Sequence, residues 1–171
     1  RDDNYRGSCL NYVVEAVKVI TDEKVEAFHS IMGRYPHIFI RAEGLSREVA
    51  RYFHRLLTTM GYSVEVPVEE YEFASLLRRV KRDDVLLIMS YSGENPAIIH
   101  RIERIFAIAT PTIISFTRAN SNTIQNMSDL NLYVFADEID YEGQDVTSRC
   151  GMIAIMETLM YKRLTRSQPP V

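Results

Sequence analysis

The chain has 171 residues, of which 46% are hydrophobic and 25% are charged. This composition is typical of one globular domain with a full hydrophobic core, and it excludes a disordered or fibrous chain. The formal net charge of −3 gives no general attraction for nucleic acid or an anionic membrane, and no apolar run approaches the length of a membrane span.

The two cysteines, Cys9 and Cys150, are too few for a disulfide framework, and neither lies in a Cys-x-x-Cys pair. They predict a reducing, cytoplasmic location. The chain also lacks a Cys/His spacing for zinc, a Walker phosphate loop and a dinucleotide-binding glycine motif. We therefore expect no metal and no cofactor.

Helix and strand patterns alternate along the chain. Apolar residues at helical spacing predict helices, and short runs rich in β-branched residues predict strands. In chain order these are a helix or helix pair through residues 10–32, a strand at 37–41, a helix at 47–60 ended by Gly61, a strand at 62–66, a short helix at 73–80, a strand at 85–89, a helix at 96–106, strands at 112–116 and 130–135, and a final helix through 152–160. The stretches 117–129 and 136–145 are predicted loops.

Five strands separated by helices or helix-like crossovers predict a parallel sheet covered on both faces, in one doubly wound α/β domain. We place this domain at residues 10–165, after an N-terminal linker or extension at 1–9 and before a flexible tail at 166–171. The chain starts with Arg1 rather than Met, so we expect it to be part of a longer protein.

The turn from Ser90 to Pro96 is the most informative segment. It follows the apolar run 85–89 directly, so it lies at the carboxyl end of a buried strand, and Pro96 suits the first turn of a helix. A strand, a hydroxyl-rich turn and a helix N-terminus can hold a phosphate through backbone N–H groups and the helix dipole. The alternative is a turn that only caps its helix.

Two other polar turns are predicted at the same edge of the sheet, at residues 42–46 and 117–122. Because ligands of doubly wound folds bind outside the carboxyl ends of the strands, we expect the three turns to converge on one crevice.

Four short motifs occur in order along the chain. They are Gly44-Leu45-Ser46, Ser90-Tyr91-Ser92-Gly93-Glu94-Asn95, Thr117 leading to Ser121, and Glu142 followed by Ser148-Arg149. Over roughly residues 10–164 they resemble the motifs of the SIS (sugar isomerase) phosphosugar-binding domain, and the last spacing is similar to that of RpiR-type bacterial transcription regulators.

The resemblance implies a flavodoxin-like three-layer sandwich around a five-stranded parallel sheet, often dimeric, with a phosphorylated sugar as its ligand. It places ligand contacts at Gly44, Ser46, Ser90, Ser92, Gly93, Glu94, Asn95, Thr117, Ser121, Glu142 and Ser148. We expect Glu94 to point outward and the turn itself to be exposed. Removing a serine hydroxyl should therefore weaken ligand binding with little effect on folding.

Two departures from the family pattern stand out. Ala42 replaces the first glycine of the usual Gly-x-Gly-x-Ser turn, and Asn95 replaces a Thr or Ser. Sugar isomerisation also needs an acid or base beside the substrate. No histidine falls in the predicted crevice loops, and Glu94, Glu138 and Glu142 are the obvious carboxylate candidates. We therefore assign no catalytic residue.

Two features of the final helix are open to more than one interpretation. Arg149 lies at the helix N-terminus, where the helix dipole disfavours a cation, so we expect an anionic partner. That partner is either Glu142 or a ligand anion, or else Arg149 forms a purely structural salt bridge. The methionine-rich face through Met152–Met160 is either core or a dimer seam.

Two classes of function follow. The first is an effector domain of a RpiR-like regulator, which senses a phosphosugar, forms a homodimer or higher homo-oligomer, and contacts DNA only through a helix-turn-helix domain absent from this chain. The second is a small SIS-type phosphosugar isomerase. Another flavodoxin-like domain, a receiver or a flavin carrier, is a weaker hypothesis because Glu43 stands alone where a receiver has an acidic cluster.

Overall fold

Helices and strands alternate through the part of the chain that the structure, a computed structural model, describes, namely residues 5–166. They form where apolar residues recur at helical spacing or in short β-branched runs. In chain order the elements are α1 (Tyr5–Lys18), α2 (Asp22–Met32), β1 (His37–Ala42), α3 (Ser46–Thr59), β2 (Ser63–Glu65), α4 (Glu70–Arg79), β3 (Val85–Met89), α5 (Pro96–Phe106), β4 (Thr112–Arg118), α6 (Thr123–Asn126), β5 (Leu130–Val134), β6 (Asp140–Tyr141), β7 (Gln144–Asp145) and α7 (Cys150–Arg166).

Strands β1 to β5 form one parallel sheet in the order β2-β1-β3-β4-β5. The central strand β3 is buried along its whole length, which explains its unbroken apolar sequence. Ala42 of β1 lies opposite Met89 of β3, so the residues that follow these two strands are neighbours. The predicted doubly wound fold is confirmed, and the strand order reverses between β1 and β3.

Helices cover both faces of the sheet, because alternate side chains of each strand point to opposite sides. On one face, α1, α2, α3 and α7 pack against strand residues that include Ile40 and Leu87. On the other face, α4, α5 and α6 pack against residues that include Phe39 and Ile88. The result is the three-layer sandwich expected from the resemblance.

The methionine-rich face of α7 belongs to the core. Met152, Met156 and Met160 are at most 1% exposed and pack in the same cluster as Phe53. Of the two interpretations that the sequence allowed, the structure selects the core. This face therefore provides no surface for a dimer.

The predicted loops contain regular structure. Helix α6 lies within residues 117–129, and the hairpin of β6 and β7 lies within residues 136–145. Helix α1 includes residues 5–9 of the predicted extension, and residues 167–171 of the predicted tail lie outside the described residues, so the domain boundaries stay a prediction. Within residues 5–166, every helix is too short or too polar to cross a membrane.

Candidate functional site

A cleft of about 640 Å³ opens at the carboxyl ends of β1, β3 and β4. It lies where the strand order reverses, the position at which ligands bind in folds of this kind. The predicted convergence of the three turns is confirmed, and the segment between β5 and α7 adds a fourth wall. The cleft is lined by Glu43, Gly44, Tyr91, Ser92, Asn95, Arg118, Glu138, Ile139, Asp140, Asp145, Thr147 and Arg149.

The turn after β3 is held in one shape by its own hydrogen bonds. The buried Ser90 Oγ accepts from the N–H of Gly93 at 3.2 Å, and Ser92 Oγ accepts from the N–H of Glu94 at 3.1 Å. Asn95 caps α5 through its side-chain oxygen, which accepts from the N–H of Ile98 at 3.1 Å. Pro96 then begins α5. The predicted strand, turn and helix N-terminus are therefore present.

Gly93 is required by this turn for two reasons. Its φ is +69°, a region that residues with a Cβ seldom adopt. A Cβ at this position would lie 2.0 Å from Oδ1 of Asn122. Asn122 is buried and caps α6, so the turn after β3 and the turn after β4 are packed directly on each other.

The carboxylate of Glu43 lies inside the turn after β3. Ser90 Oγ donates to Glu43 Oε1 at 2.8 Å, and the side-chain amide of Asn95 donates to Glu43 Oε2. The strand register explains this contact, since Ala42 and Met89 are paired and the next residues therefore meet. Two donors that the sequence assigned to a phosphate thus bind a carboxylate of the chain itself.

Arg149 joins the first turn to the last helix. Its buried guanidinium donates to Ser46 Oγ at 2.9 Å, to the carbonyl of Thr147 at 2.6 Å and to Asp145 Oδ2 at 2.7 Å. Burial raises the pKa of Asp145, but hydrogen bonds from Thr147 and Arg149 outweigh it and hold the pKa at about 2. Of the partners that the sequence left open, the structure shows a salt bridge to Asp145 and none to Glu142.

A second cation, Arg118, lies at the rim of the cleft at the end of β4. Its guanidinium donates to Glu138 at 2.6 Å, and both side chains are more than one-third exposed. Tyr91 also lines the cleft, with its hydroxyl on the carbonyl of Ala136 at 2.7 Å and its ring 5.8 Å from the Arg149 guanidinium carbon. The cleft therefore combines an aromatic wall with two arginines.

The predicted ligand contacts fall into three groups. Gly44, Ser92 and Asn95 line the cleft. Ser46, Ser90, Gly93 and Thr117 are buried behind it, where they hold the turns together. Outside the lining lie Glu94, Ser121, Glu142 and Ser148, of which Ser148 is half-buried just before α7 and the other three are exposed.

The structure corrects one expectation about the turn. Ser46 and Ser90 are fully buried, so the turn is not exposed at these positions, and their hydroxyls are bonded to Arg149 and Glu43. Removing either hydroxyl would therefore lower the stability of the fold as well as any ligand affinity. Glu94 does point outward, where its carboxylate accepts from the backbone and hydroxyl of Thr123, both at 2.7 Å. These hydrogen bonds lower the pKa of Glu94.

Glu142, one of the carboxylate candidates for catalysis, lies in the tight turn between β6 and β7. Its φ is +49° and that of Gly143 is +79°, the pair of positive values that a two-residue hairpin turn requires. Its side chain is exposed and is not among the cleft residues.

Seven lining residues were not predicted from the sequence, namely Glu43, Tyr91, Arg118, Ile139, Asp140, Asp145 and Thr147. Arg118 carried a usable signal, because it is the last residue of β4 and so lies at the edge where the other turns converge. The residues of the hairpin carried none, since strands of two residues are too short to show an alternating pattern.

Solved structures with the same fold include both regulators and enzymes. The Vibrio vulnificus NanR protein complexed with ManNAc-6P superposes with a TM-score of 0.81 at 18% identity, over 97% of this chain and 62% of that chain. The sugar isomerase domain of a RpiR transcription factor from Sphaerobacter thermophilus gives 0.82 at 15% identity, over 96% and 90%. A phosphoheptose isomerase from Francisella tularensis gives 0.71 at 15% identity, over 98% and 97%. This chain thus spans less than two-thirds of the NanR chain.

The family is decided by the match of the sequence itself. The SIS domain model matches residues 32–160, which contain the whole sheet, the turns after β1, β3 and β4, and the start of α7. The match covers well over half of the chain and takes in every residue that lines the cleft. The fold that the resemblance implied is also the fold observed, and the chain therefore belongs to the SIS domain family.

Proposed function

We propose that this chain is the phosphosugar-sensing effector domain of a RpiR-like transcriptional regulator of carbohydrate metabolism. The observation that carries the proposal is the turn from Ser90 to Asn95, which lies at the N-terminus of α5 and contributes three residues to the cleft of a SIS domain. In this proposal the phosphate of the ligand binds at that turn and the sugar extends toward Arg118 and Arg149.

The turn has donors to offer a phosphate. Within residues 5–166, the backbone N–H groups of Ser92 and Asn95 have no hydrogen-bond partner, and both residues line the cleft. They precede the 11-residue helix α5, whose N-terminal dipole favours an anion. Arg118 can turn to the ligand, because an exposed salt bridge such as its pair with Glu138 is worth only about 0–1 kcal/mol.

The titratable groups support binding rather than turnover. The four histidines lie on α2, α3, α5 and the first residue of β1, and none is among the cleft residues. Three of the four cleft carboxylates are already engaged, Glu43 with Ser90, Glu138 with Arg118 and Asp145 with Arg149. A base for proton abstraction from a sugar carbon therefore has few candidates here.

The likeness to NanR complexed with ManNAc-6P and to the RpiR sugar isomerase domain supports a regulator. Contact with DNA would then be made by a helix-turn-helix domain outside this chain. The likeness to a phosphoheptose isomerase keeps the isomerase as the alternative.

The test is a calorimetric panel on the purified chain. It includes ManNAc-6P, hexose 6-phosphates, pentose 5-phosphates, unphosphorylated ManNAc and inorganic phosphate, with isomerisation followed in the same samples. We expect one sugar phosphate to bind more tightly than inorganic phosphate and to be recovered unchanged. Turnover well above background would favour the isomerase, and a panel without any preferred sugar phosphate would contradict both functions.

Ser92→Ala is the variant that locates the phosphate in this panel. Losing a hydroxyl that contacts a charged ligand is expected to lower the affinity for the sugar phosphate about tenfold or more, because such a hydrogen bond contributes about 1.5–3 kcal/mol. Ser30→Ala, a serine on the exposed surface of α2, is the matched control. If Ser92→Ala and Ser30→Ala bound the sugar phosphate with equal affinity, the phosphate would not bind at this turn.

We also propose that the chain forms a homodimer through its α1 and α7 layer. These two helices pack together, and they expose Leu10, Val14, Tyr161 and Leu164 at 47–68%. Apolar surface of this kind is commonly covered in an oligomer. Light scattering at micromolar concentration should give the mass of a dimer, and the mass of a monomer would contradict the proposal.

A further inference from the structure

Glu43 has a position in the cleft that binding of a phosphate does not explain. Its carboxylate is half-buried and is held by two neutral donors, Ser90 Oγ at 2.8 Å and the side-chain amide of Asn95. Within residues 5–166, no basic side chain forms a salt bridge with it. The carboxylate therefore accepts from these donors in the same manner as a phosphate oxygen would.

The position follows from the fold. Ala42 and Met89 are paired at the ends of β1 and β3, and the N–H of Glu43 donates to the carbonyl of Met89 at 3.4 Å. Glu43 therefore starts beside Ser90, and its side chain reaches the donors of the next turn. Ser90 is fully buried and does not line the cleft, whereas Glu43 does. The Glu43 carboxylate therefore connects the Ser90 hydroxyl to the cleft.

We propose that Glu43 is a specificity-determining residue that keeps bare inorganic anions out of the turn from Ser90 to Asn95. An incoming phosphate meets a like charge at short range, which disfavours two ionised groups side by side. It also finds the Ser90 hydroxyl and the Asn95 side-chain amide already bonded. The inference rests on the proposed function, and it adds that a phosphate must displace the Glu43 carboxylate.

Displacement has a chemical requirement. The freed carboxylate needs new donors in the cleft, because a polar group left without a hydrogen bond is unfavourable. The hydroxyls of a sugar provide several such donors beyond the phosphate group, whereas inorganic phosphate offers only its own P–OH groups at the phosphate position itself. Glu43 therefore favours a phosphate that is attached to a polyhydroxylated group, and it limits competition from free phosphate.

The experiment is a titration of the parent chain, Glu43→Gln and Glu43→Ala with inorganic phosphate, by calorimetry and by the amide shifts of residues 92–95. Both variants are expected to bind phosphate about tenfold more tightly than the parent, a gain of about 1.4 kcal/mol. Two variants keep the test valid if one of them folds poorly. Glu48→Gln is the matched control, because it removes a carboxylate that is 72% exposed and pairs with Arg51. Its phosphate affinity is expected to stay within about twofold of the parent.

The inference would be overturned if Glu43→Gln and Glu43→Ala did not bind phosphate more tightly than the parent. This includes the case in which phosphate binding is undetectable in the parent and in both variants. Failure of the proposed function gives a different result, in which no sugar phosphate binds better than inorganic phosphate to any of the proteins. The ratio of phosphate affinities between variants and parent is independent of that outcome.

Discussion

Replacing Gly93 by alanine is expected to lower the free energy of unfolding by about 3–4 kcal/mol. The left-handed backbone, with φ at +69°, contributes about 1–2 kcal/mol once a Cβ is present. The new Cβ also lies 2.0 Å from Oδ1 of Asn122 and 2.2 Å from its Cγ, so Asn122 must move. That side chain accepts from the N–H of Gln125 at 2.8 Å and donates to Thr117 Oγ1 at 3.1 Å. Losing buried hydrogen bonds of this kind contributes about 1–3 kcal/mol more.

Gly143→Ala is the matched control for this variant. Gly143 also has a positive φ, at +79°, but a Cβ there meets nothing within 4 Å. Only the backbone contribution of about 1–2 kcal/mol should remain. Urea unfolding of the two variants measures the difference directly. Equal losses of stability in the two variants would show that the packing of Gly93 on Asn122 is unimportant.

Arg149→Met is expected to lower the free energy of unfolding by about 2–3 kcal/mol at pH 7. Methionine keeps the apolar stem but removes the donors to Ser46, to the Thr147 carbonyl and to Asp145. Ser46 and Thr147 are both buried, so the Ser46 hydroxyl and the Thr147 carbonyl each lose a partner that water cannot replace. The loss stays below that of a fully buried ion pair because the side chain of Asp145 is 47% exposed.

This loss should also depend on pH. The pKa of Asp145 is about 2, below its ordinary value of 3.8, so its contribution to stability is complete above about pH 4 and disappears as the pH falls toward 2. The difference between the parent and Arg149→Met should therefore narrow over that range. Arg51→Met, which removes an exposed salt bridge on α3, is the control and is expected to lose at most about 1 kcal/mol. A pH-independent difference would contradict the assignment to Asp145.

Much of the fold could be predicted because its signals are local. The apolar run of β3 is unbroken since both faces of that strand are buried, and the helix that starts at Pro96 has both a cap and a favourable first residue. Parallel strands with helices between them then leave few possible topologies. The position of the cleft followed from the same argument, because polar turns after β1 and β3 must meet at the carboxyl edge.

The polar contacts within the cleft could not be predicted because they join residues far apart in the chain. Ser46 meets Arg149, and Glu43 meets Ser90, only after the sheet has aligned the ends of its strands. The sequence shows that Ser90 lies in a turn but not that a neighbouring turn buries it. Likewise, the choice of Asp145 over Glu142 as the partner of Arg149 depends on a hairpin too short to leave a pattern.

The central claim is that a sugar phosphate binds in the cleft with its phosphate at the turn after β3. Its most direct test is the two-dimensional amide spectrum of the isotopically labelled chain, titrated with the tightest sugar phosphate of the panel. We expect the shifts to concentrate at residues 91–95, with smaller changes at Gly44 and Arg118. A second cavity, of about 900 Å³, lies at the opposite edge of the sheet and is lined by residues that include Arg34, Lys81 and Arg82. Shifts at that cavity, with residues 91–95 unchanged, would contradict the claim.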